Sequence, residues 1–191
     1  MKLIATIFIL SLSTYFCEAQ LIQPFSLVNV NNGQKVNLTS LAGENGTVVI
    51  FHSSKCAYSN YYLDRIKRLY NEYSTKGIAL ILINSNSSKL VIEESFDNMA
   101  KYSKANDLQM PYLADKESIA QKALRATRSP EAFLLTAENG GFRVVYKGAI
   151  DDSPQAIGDI NHSYLSEAIL SLLNKSTATV HQTRAVGCLI K

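Results

Sequence analysis

Two unbroken apolar runs separated by an amphipathic segment form the clearest pattern in the chain. The runs are Thr47–Phe51 and Ile78–Ile83, and neither alternates with polar residues, which is typical of strands buried on both faces. Between them, Ala57–Tyr73 carries apolar residues at helical spacing, with charged residues such as Arg65 mostly on the opposite face. The dipeptide Lys76-Gly77 is expected to end this helix. The pattern predicts a strand–helix–strand crossover that joins two parallel strands.

Shorter elements are predicted on both sides of this crossover. One antiparallel hairpin turns around Asn31-Asn32-Gly33, and a second turns around Asn139-Gly140-Gly141. The remaining predicted elements are helices over 92–105, 117–125 and 164–173 and an extended piece over 110–113. This order predicts an α/β fold with a mixed sheet flanked by helices. The polar segment after the last helix is expected to be loose.

The first 19 residues have the pattern of a secretory signal peptide. Lys2 precedes a short apolar stretch, and Cys17-Glu18-Ala19 has small residues at both ends of a cleavage triplet. Cleavage leaves a domain over 20–175 and a C-terminal tail over 176–191. A lipid anchor on the cysteine of the triplet is less favoured, because the three residues before it are bulky. The protein is expected to be exported, periplasmic or secreted, without stable membrane insertion after cleavage.

Charge and histidine spacing narrow the set of partners. The 191 residues carry a net charge of +3 with no basic run, so a nucleic-acid partner is not expected. His52, His162 and His181 show no metal-ligand spacing, so no metal or other cofactor is predicted.

Cys56 is the candidate reactive residue. It follows the first apolar strand and opens the long helix, where unpaired N–H groups and the helix dipole favour thiolate over thiol. Of the three cysteines, Cys17 leaves with the signal peptide, so Cys56 and Cys188 remain. Export into an oxidising compartment makes one disulfide between them possible.

Several motifs together give the chain a family resemblance. They are Val48–Cys56, Ile83–Asn86, Ser129-Pro130 followed by Ala132–Leu135, Tyr146–Gly148 with Asp151–Ser153, and Gly187–Lys191. As a set they resemble the thioredoxin-like superfamily, and within it the redoxin group related to alkyl hydroperoxide reductase and thiol-specific antioxidant proteins. The resemblance implies a thioredoxin-like fold with a mixed central sheet flanked by helices and an N-terminal β-hairpin extension.

The motif around the cysteine departs from both branches of that superfamily. Thioredoxins carry a second cysteine three residues on, where this chain has Ser59, which can donate a hydrogen bond to the thiolate but cannot form a disulfide. Ser53 matches the hydroxyl residue that peroxiredoxins place before their cysteine, although their upstream proline has no counterpart. Their peroxide-polarising arginine falls at Pro130, which makes the nearby Arg128 a candidate substitute. Cys188 is the candidate resolving cysteine.

The resemblance also implies a substrate groove. In the thioredoxin fold the proline that matches Pro130 is cis, and the backbone before it, here Ser129, pairs with an extended substrate. Tyr58 is a candidate wall of this groove. Asn84 follows the second buried strand at its carboxyl end, where open α/β sheets place ligands.

Two functional hypotheses follow. In the first, Cys56 attacks a hydroperoxide or a protein disulfide, Cys188 closes on it, and an external thiol reductant opens the bridge. The sequence favours the peroxide slightly. In the second, the chain is a non-catalytic binding module whose Cys56–Cys188 disulfide is a structural staple.

Overall fold

The computed structural model describes residues 21–87, 89–155 and 160–191. The predicted signal peptide over residues 1–19 lies outside these ranges. The strands are β1 (Ser26–Asn29), β2 (Lys35–Asn37), β3 (Gly46–Phe51), β4 (Ile78–Asn84), β5 (Tyr112–Ala114), β6 (Arg128–Ser129), β7 (Glu131–Glu138), β8 (Gly141–Gly148) and β9 (Cys188–Leu189). The helices are α1 (Leu38–Leu41), α2 (Ala57–Tyr73), α3 (Phe96–Ala105), α4 (Ile119–Leu124) and α5 (Tyr164–Leu173). Short 3₁₀ turns cover Ser74–Lys76 and Ile92–Glu94.

The central sheet is mixed, as the sequence predicts. Within the described residues it has seven strands in the order β2-β1-β5-β4-β3-β7-β8, and β6 and β9 form a separate pair. The strand pairs β3–β4 and β4–β5 are parallel, and the other neighbours in the central sheet are antiparallel. The predicted crossover is therefore confirmed, and so is the N-terminal hairpin of β1 and β2 at one edge of the sheet.

Helices cover both faces of the central sheet. Alternate residues of β3 point to opposite faces, and because they are apolar on both, each face packs against helices. Val48 and Ile50 pack into a cluster shared with α2, α3 and α5, whereas Val49 and Phe51 pack into a cluster shared with α1 and α4. All six residues of β3 are buried, which explains its unbroken apolar sequence. The carboxyl end of this strand thus projects from a core that fixes it on both sides.

The backbone angles between β7 and β8 agree with the predicted hairpin, whereas those at Ser95 divide a predicted helix. Asn139 and Gly140 both have positive φ, 48° and 78°, which suits the two-residue turn between β7 and β8. The helix predicted over 92–105 is instead divided, because Ser95 takes φ −59° and ψ 160° between the 3₁₀ turn and α3. The division turns the Glu94 side chain inward, where it is fully buried.

Arg65 departs from the predicted solvent-facing side of α2. Its guanidinium is buried and lies 2.7 Å from a carboxylate oxygen of Asp151. It also stacks over the Tyr62 ring at 4.0 Å, and the Tyr62 hydroxyl donates to the same carboxylate at 2.8 Å. This buried pair fastens the middle of α2 to the segment after β8. An ion pair over 86 residues leaves no local pattern, so helical spacing alone misplaced Arg65.

The expectation that the C-terminal tail is loose is wrong. The Thr183 hydroxyl lies 2.6 Å from the hydroxyl of Tyr146 and accepts a hydrogen bond from the Ala149 N–H at 2.9 Å. The Lys147 N–H donates to the His181 carbonyl, and β9 pairs with β6. These partners are largely backbone groups, which have no signature in the polar sequence of the tail.

Candidate functional site

Cys56 lies at the junction between a buried loop and α2. It is the N-cap residue of α2, with φ −95° and ψ 119°, and only 1% of it is exposed. Its N–H donates to the Ser53 carbonyl at 3.1 Å, which closes the turn that follows β3. The sulfur is therefore presented at the positive end of a 17-residue helix, as the sequence predicts.

The sulfur of Cys56 is bonded to that of Cys188. The S–S distance is 2.09 Å, the Cα atoms are 5.8 Å apart, and 132 residues separate the two cysteines along the chain. Cys56 is buried, whereas Cys188 is half-buried, so the bond has one protected and one accessible end.

The tail reaches Cys56 as a strand. β9 pairs antiparallel with β6, with Cys188 opposite Ser129 and Leu189 opposite Arg128. The Ile190 N–H donates to the Thr127 carbonyl at 3.1 Å, which extends the pairing by one residue. Beyond it, the Lys191 N–H donates to Asn86 at 2.8 Å and its carbonyl accepts from the Ser87 N–H at 2.7 Å.

The Ser129–Pro130 peptide bond is cis, as the resemblance implies. The carbonyl oxygen of Ser129 lies 3.0 Å from the sulfur of Cys56. The disulfide-bonded sulfur carries no proton, so this is a close contact here, and the free thiol can donate to the same oxygen after reduction. The backbone that faces an extended substrate in the resemblance thus faces the chain's own tail.

The two predicted serine donors are both buried: Ser53 belongs to the loop over residues 52–55, called the Cys56 loop, and Ser59 lies in the first turn of α2. The Ser59 hydroxyl accepts from the Ser53 N–H at 3.3 Å, and the Ser53 hydroxyl donates to a carboxylate oxygen of Glu94 at 2.6 Å. In the disulfide form the single Ser53 proton is therefore directed to Glu94 and not to sulfur. Donation from either serine to a Cys56 thiolate stays a prediction for the reduced protein.

Glu94 is the residue at this site that the sequence did not reveal. One oxygen of its buried carboxylate accepts from the Ser53 and Ser54 hydroxyls and from the Lys55 N–H, at 2.6, 3.4 and 3.3 Å. The other oxygen accepts from the Asn86 amide, whose own oxygen holds Lys191. Glu94 thus joins the loop that carries Cys56 to the tail that carries Cys188. Its partners in the loop lie about forty positions away, so no spacing rule points to it.

His52 is fully buried between two tyrosines. Its Nδ1 lies 3.4 Å from the Tyr112 hydroxyl and its Nε2 3.4 Å from the Tyr102 hydroxyl. Burial lowers the pKa of His52 to about 4, against a smaller opposing effect of the Glu94 charge. The imidazole is therefore neutral near pH 7 and supplies no positive charge to a thiolate.

The other predicted site residues are Arg128, Tyr58 and Asn84, and each has its own contacts in the disulfide form. The Arg128 guanidinium donates to the Gly187 carbonyl at 2.9 Å, so in this form it holds the tail. Tyr58 is half-buried on the first turn of α2. The Asn84 amide donates to the Tyr112 hydroxyl at 3.3 Å, and its oxygen accepts from Lys116 at 3.3 Å and from the Asn86 N–H at 3.0 Å. Asn84, the last residue of β4, is thus held by contacts with Tyr112 and with the loop that follows the strand.

The family of the chain can be stated from this geometry together with sequence comparison. A model of the AhpC/TSA family matches residues 19–151, which include Cys56 and the cis-proline. The chain belongs to the AhpC/TSA family. No curated protein matches it.

Solved structures similar to this AhpC/TSA protein agree on the fold. An uncharacterized conserved protein from Geobacillus kaustophilus is 29% identical with a TM-score of 0.82, covering 91% of this chain and 90% of its own. A hypothetical protein from Sinorhizobium meliloti 1021 is 26% identical with a TM-score of 0.80, covering 91% and 93%. A putative thiol:disulfide interchange protein, DsbE, from Chlorobium tepidum is 15% identical with a TM-score of 0.62, covering 81% and 96%. The fold is thus that of thioredoxin-like redoxins.

Two further observations describe the rest of this AhpC/TSA chain. Over the described ranges, His, Cys, Asp and Glu side chains form no group of three or more that could hold a metal ion. Among the helices in those ranges, none is long and apolar enough to cross a membrane.

Proposed function

We propose that this AhpC/TSA protein is an exported thiol–disulfide oxidoreductase in which Cys56 is the nucleophile and Cys188 the resolving cysteine. The observation that carries the proposal is that Cys188 is bonded to the helix-capping Cys56 while its strand pairs with Ser129. A cysteine delivered in an extended segment beside the cis-proline is how this fold receives a disulfide substrate. This arrangement supports a role for the tail as an internal substrate, because a structural staple does not require strand pairing beside Cys56.

The exchange proceeds in two displacements. The Cys56 thiolate attacks one sulfur of a partner's disulfide, and the partner's other sulfur leaves as a thiolate. The Cys188 thiolate then attacks the Cys56 sulfur of this mixed disulfide, and the partner leaves with its second thiol. The partner is reduced by two electrons, and the Cys56–Cys188 disulfide stores the oxidation.

An external thiol reductant returns the protein to its dithiol form. Because Cys56 is 1% exposed and Cys188 is half-buried, the reductant attacks the Cys188 sulfur. Cys56 then leaves as a thiolate, which the N-terminus of α2 stabilises. The expected mixed disulfide with the reductant therefore forms on Cys188.

A hydroperoxide is the second candidate oxidant, and membership of the AhpC/TSA family favours it. Cys56 would be oxidised to a sulfenic acid with release of an alcohol or water, and Cys188 would expel water to close the disulfide. We place protein disulfides first because the sulfur bonded to Cys56 belongs to a cysteine in an extended peptide segment that pairs with β6. This reverses the slight preference drawn from the sequence.

Rapid quench separates these chemistries. Reduced protein is mixed either with hydrogen peroxide or with an unfolded, disulfide-bonded protein, and the thiols are alkylated and mapped by mass spectrometry. We expect the Cys56–Cys188 disulfide to form faster with the protein disulfide. The Cys188→Ser variant should instead accumulate a Cys56 mixed disulfide with the partner. If neither oxidant closes the bridge within minutes, the catalytic proposal fails and the binding-module hypothesis replaces it.

The exported location is part of the proposal. It is supported by the signal-like pattern of the first 19 residues and by a disulfide of the kind that persists in oxidising compartments. Fractionation of cells that produce the full chain, with the N-terminal residue of the mature protein determined, tests it.

A further inference from the structure

The tail lies in a groove formed by β6 and Pro130, and the space available to a side chain differs from one tail residue to the next. At Gly187, before the cysteine, there is no space for a side chain: a Cβ there would collide with the Ser129 carbonyl and lie 2.9 Å from the Pro130 nitrogen. These obstacles are backbone atoms, so a side chain at this position requires the backbone itself to move. The Gly187 carbonyl is also bound by Arg128 at 2.9 Å, which fixes its position.

The residues after the cysteine alternate between open and enclosed positions. Leu189 is 61% exposed, so we expect the groove not to discriminate between side chains at this position. Ile190 packs against the apolar cluster that contains Val49, Phe51 and Phe133, and its N–H is bound by Thr127. Alternation of this kind is expected when an extended segment lies along one strand.

From these constraints we infer that the groove selects protein segments with the pattern glycine, cysteine, any residue, apolar residue. The inference rests on the proposed function and names its substrate class: extended disulfide-bonded segments in which glycine immediately precedes the reactive cysteine. Such a segment takes the place of the tail, pairs with β6, and presents its cysteine sulfur to Cys56. The S–S bond of the partner breaks, a bond forms to the Cys56 sulfur, and the partner's other sulfur leaves as a thiolate.

A peptide panel tests the selection. The reduced full-length Cys188→Ser variant is mixed with a peptide that copies residues 185–191 and carries a thiopyridyl group on its cysteine, so that attack by Cys56 releases thiopyridone. Three altered peptides carry alanine at the Gly187 position, serine at the Ile190 position or serine at the Leu189 position. Dipyridyl disulfide serves as the small reference substrate, and the Cys56→Ser/Cys188→Ser double variant gives the background.

The expected order of rates follows from the contacts. Alanine in place of glycine should slow the reaction about tenfold or more, because backbone has to move to admit the methyl group. Serine at the Ile190 position should slow it about fivefold through lost apolar burial. Serine at the exposed Leu189 position should leave the rate within about twofold, the spread expected of a surface substitution.

Two outcomes overturn the inference for different reasons. If dipyridyl disulfide reacts with Cys56 but the glycine and alanine peptides react equally fast, the selection is wrong while the proposed function stands. If not even dipyridyl disulfide reacts above the background of the Cys56→Ser/Cys188→Ser double variant, the proposed function itself fails.

A second variant tests the competition between tail and partner. Gly187→Ala combined with Cys188→Ser should dislodge the chain's own tail and raise the rates of all four peptides. The rate with dipyridyl disulfide, which needs no strand pairing, should rise less. Unchanged peptide rates would show that partner segments do not use the tail's groove, which contradicts the inference.

Discussion

The two cysteines are held in place by different means. Cys56 follows a strand buried on both faces, caps a 17-residue helix, and sits behind a loop that Glu94 holds through three hydrogen bonds. Cys188 lies in a two-residue strand of a tail whose next residue is 61% exposed. The first environment is fixed by the core, whereas the second depends on the disulfide, a short strand pairing and hydrogen bonds of the neighbouring tail residues. If Cys56 is the nucleophile and Cys188 the resolving cysteine, as we propose, reduction should free the segment around Cys188 more than the one around Cys56.

The largest effect is expected from replacement of Cys56, the cysteine that the core holds in place. Cys56→Ser should reduce thiol exchange with a protein disulfide at least about 10³-fold, because removal of a nucleophile eliminates the covalent step. The measurement is the rate of mixed-disulfide formation by quench and mass mapping. Cys188→Ser is the matched control, and it should retain the first displacement while losing ring closure. Equal losses in both variants would contradict the assignment of roles.

Reduction of the disulfide should loosen the tail and leave the core intact. Opening a loop of 132 residues lowers the free energy of unfolding by about 4–5 kcal/mol in the chain-entropy model. We expect amide exchange to accelerate at residues 187–191 and to stay slow in β3 and β4 of the reduced protein. Hydrogen exchange read by mass spectrometry makes the comparison. A reduced protein that loses its tertiary structure would instead identify the bridge as a staple.

The buried imidazole of His52, the first residue of the Cys56 loop, makes the stability of the folded chain sensitive to acid. His52 has its pKa lowered from 6.5 to about 4 by burial, so the unfolded chain binds a proton more readily than the folded one. Its contribution is fully present above about pH 6.5 and is lost as the pH falls towards 4, by about 3 kcal/mol in total.

The test is a set of denaturant titrations between these two pH values. His52→Gln should flatten the pH dependence of the unfolding free energy, whatever it does to stability at pH 7. The matched control is His181→Gln at an exposed position in the tail, which should follow the wild-type profile. A His52→Gln protein with the wild-type slope would assign the acid sensitivity to other groups.

Glu94 links the Cys56 loop to the tail through Asn86, so its replacement tests how much this link stabilises the fold. Glu94→Gln keeps the shape but replaces one accepting oxygen with an N–H₂ group that faces donors from the Cys56 loop or from Asn86. We expect a loss of about 1–3 kcal/mol in unfolding free energy, the cost of unsatisfied buried donors. Glu93→Gln is the control, because that side chain is 54% exposed in a 3.9 Å surface pair with Lys55 and should change stability by under about 1 kcal/mol. Equal effects would mean that Glu94 does not support the loop.

The sequence predicted those parts of the molecule that depend on local pattern. Unbroken apolar runs located β3 and β4, helical spacing located α2, and the family resemblance placed the cis peptide bond at Pro130. It failed where a residue's partner lies far along the chain. Arg65 is buried by Asp151, and Glu94 leaves its predicted helix to serve a loop about forty residues earlier.

The tail was misjudged for the same reason. Its polar sequence offers no apolar face, and it is fixed by backbone pairing with β6, by Thr183 against β8, and by the disulfide. The sequence did make the Cys56–Cys188 bond possible, but the strand that delivers Cys188 to Ser129 follows only from the folded arrangement. Local pattern therefore predicts the position of Cys56 at the start of α2 well and the approach of Cys188 poorly.

The smallest expected effect comes from a substitution in the tail. Gly187→Ala introduces a methyl group against the backbone of Ser129 and Pro130, so the tail should pair less well with β6. The disulfide should then be about tenfold easier to reduce at equilibrium, since overpacking of this kind costs about 1–3 kcal/mol and tenfold corresponds to about 1.4 kcal/mol. Equilibration in dithiothreitol buffers of known ratio, followed by alkylation and mass analysis, measures the shift. Leu189→Ala, at a 61% exposed position on the same strand, is the matched control and should leave the equilibrium unchanged. A Gly187→Ala protein with the wild-type equilibrium would show that strand pairing does not set the strength of the bond, and the tail would then be held by its disulfide and not by its fit to the groove.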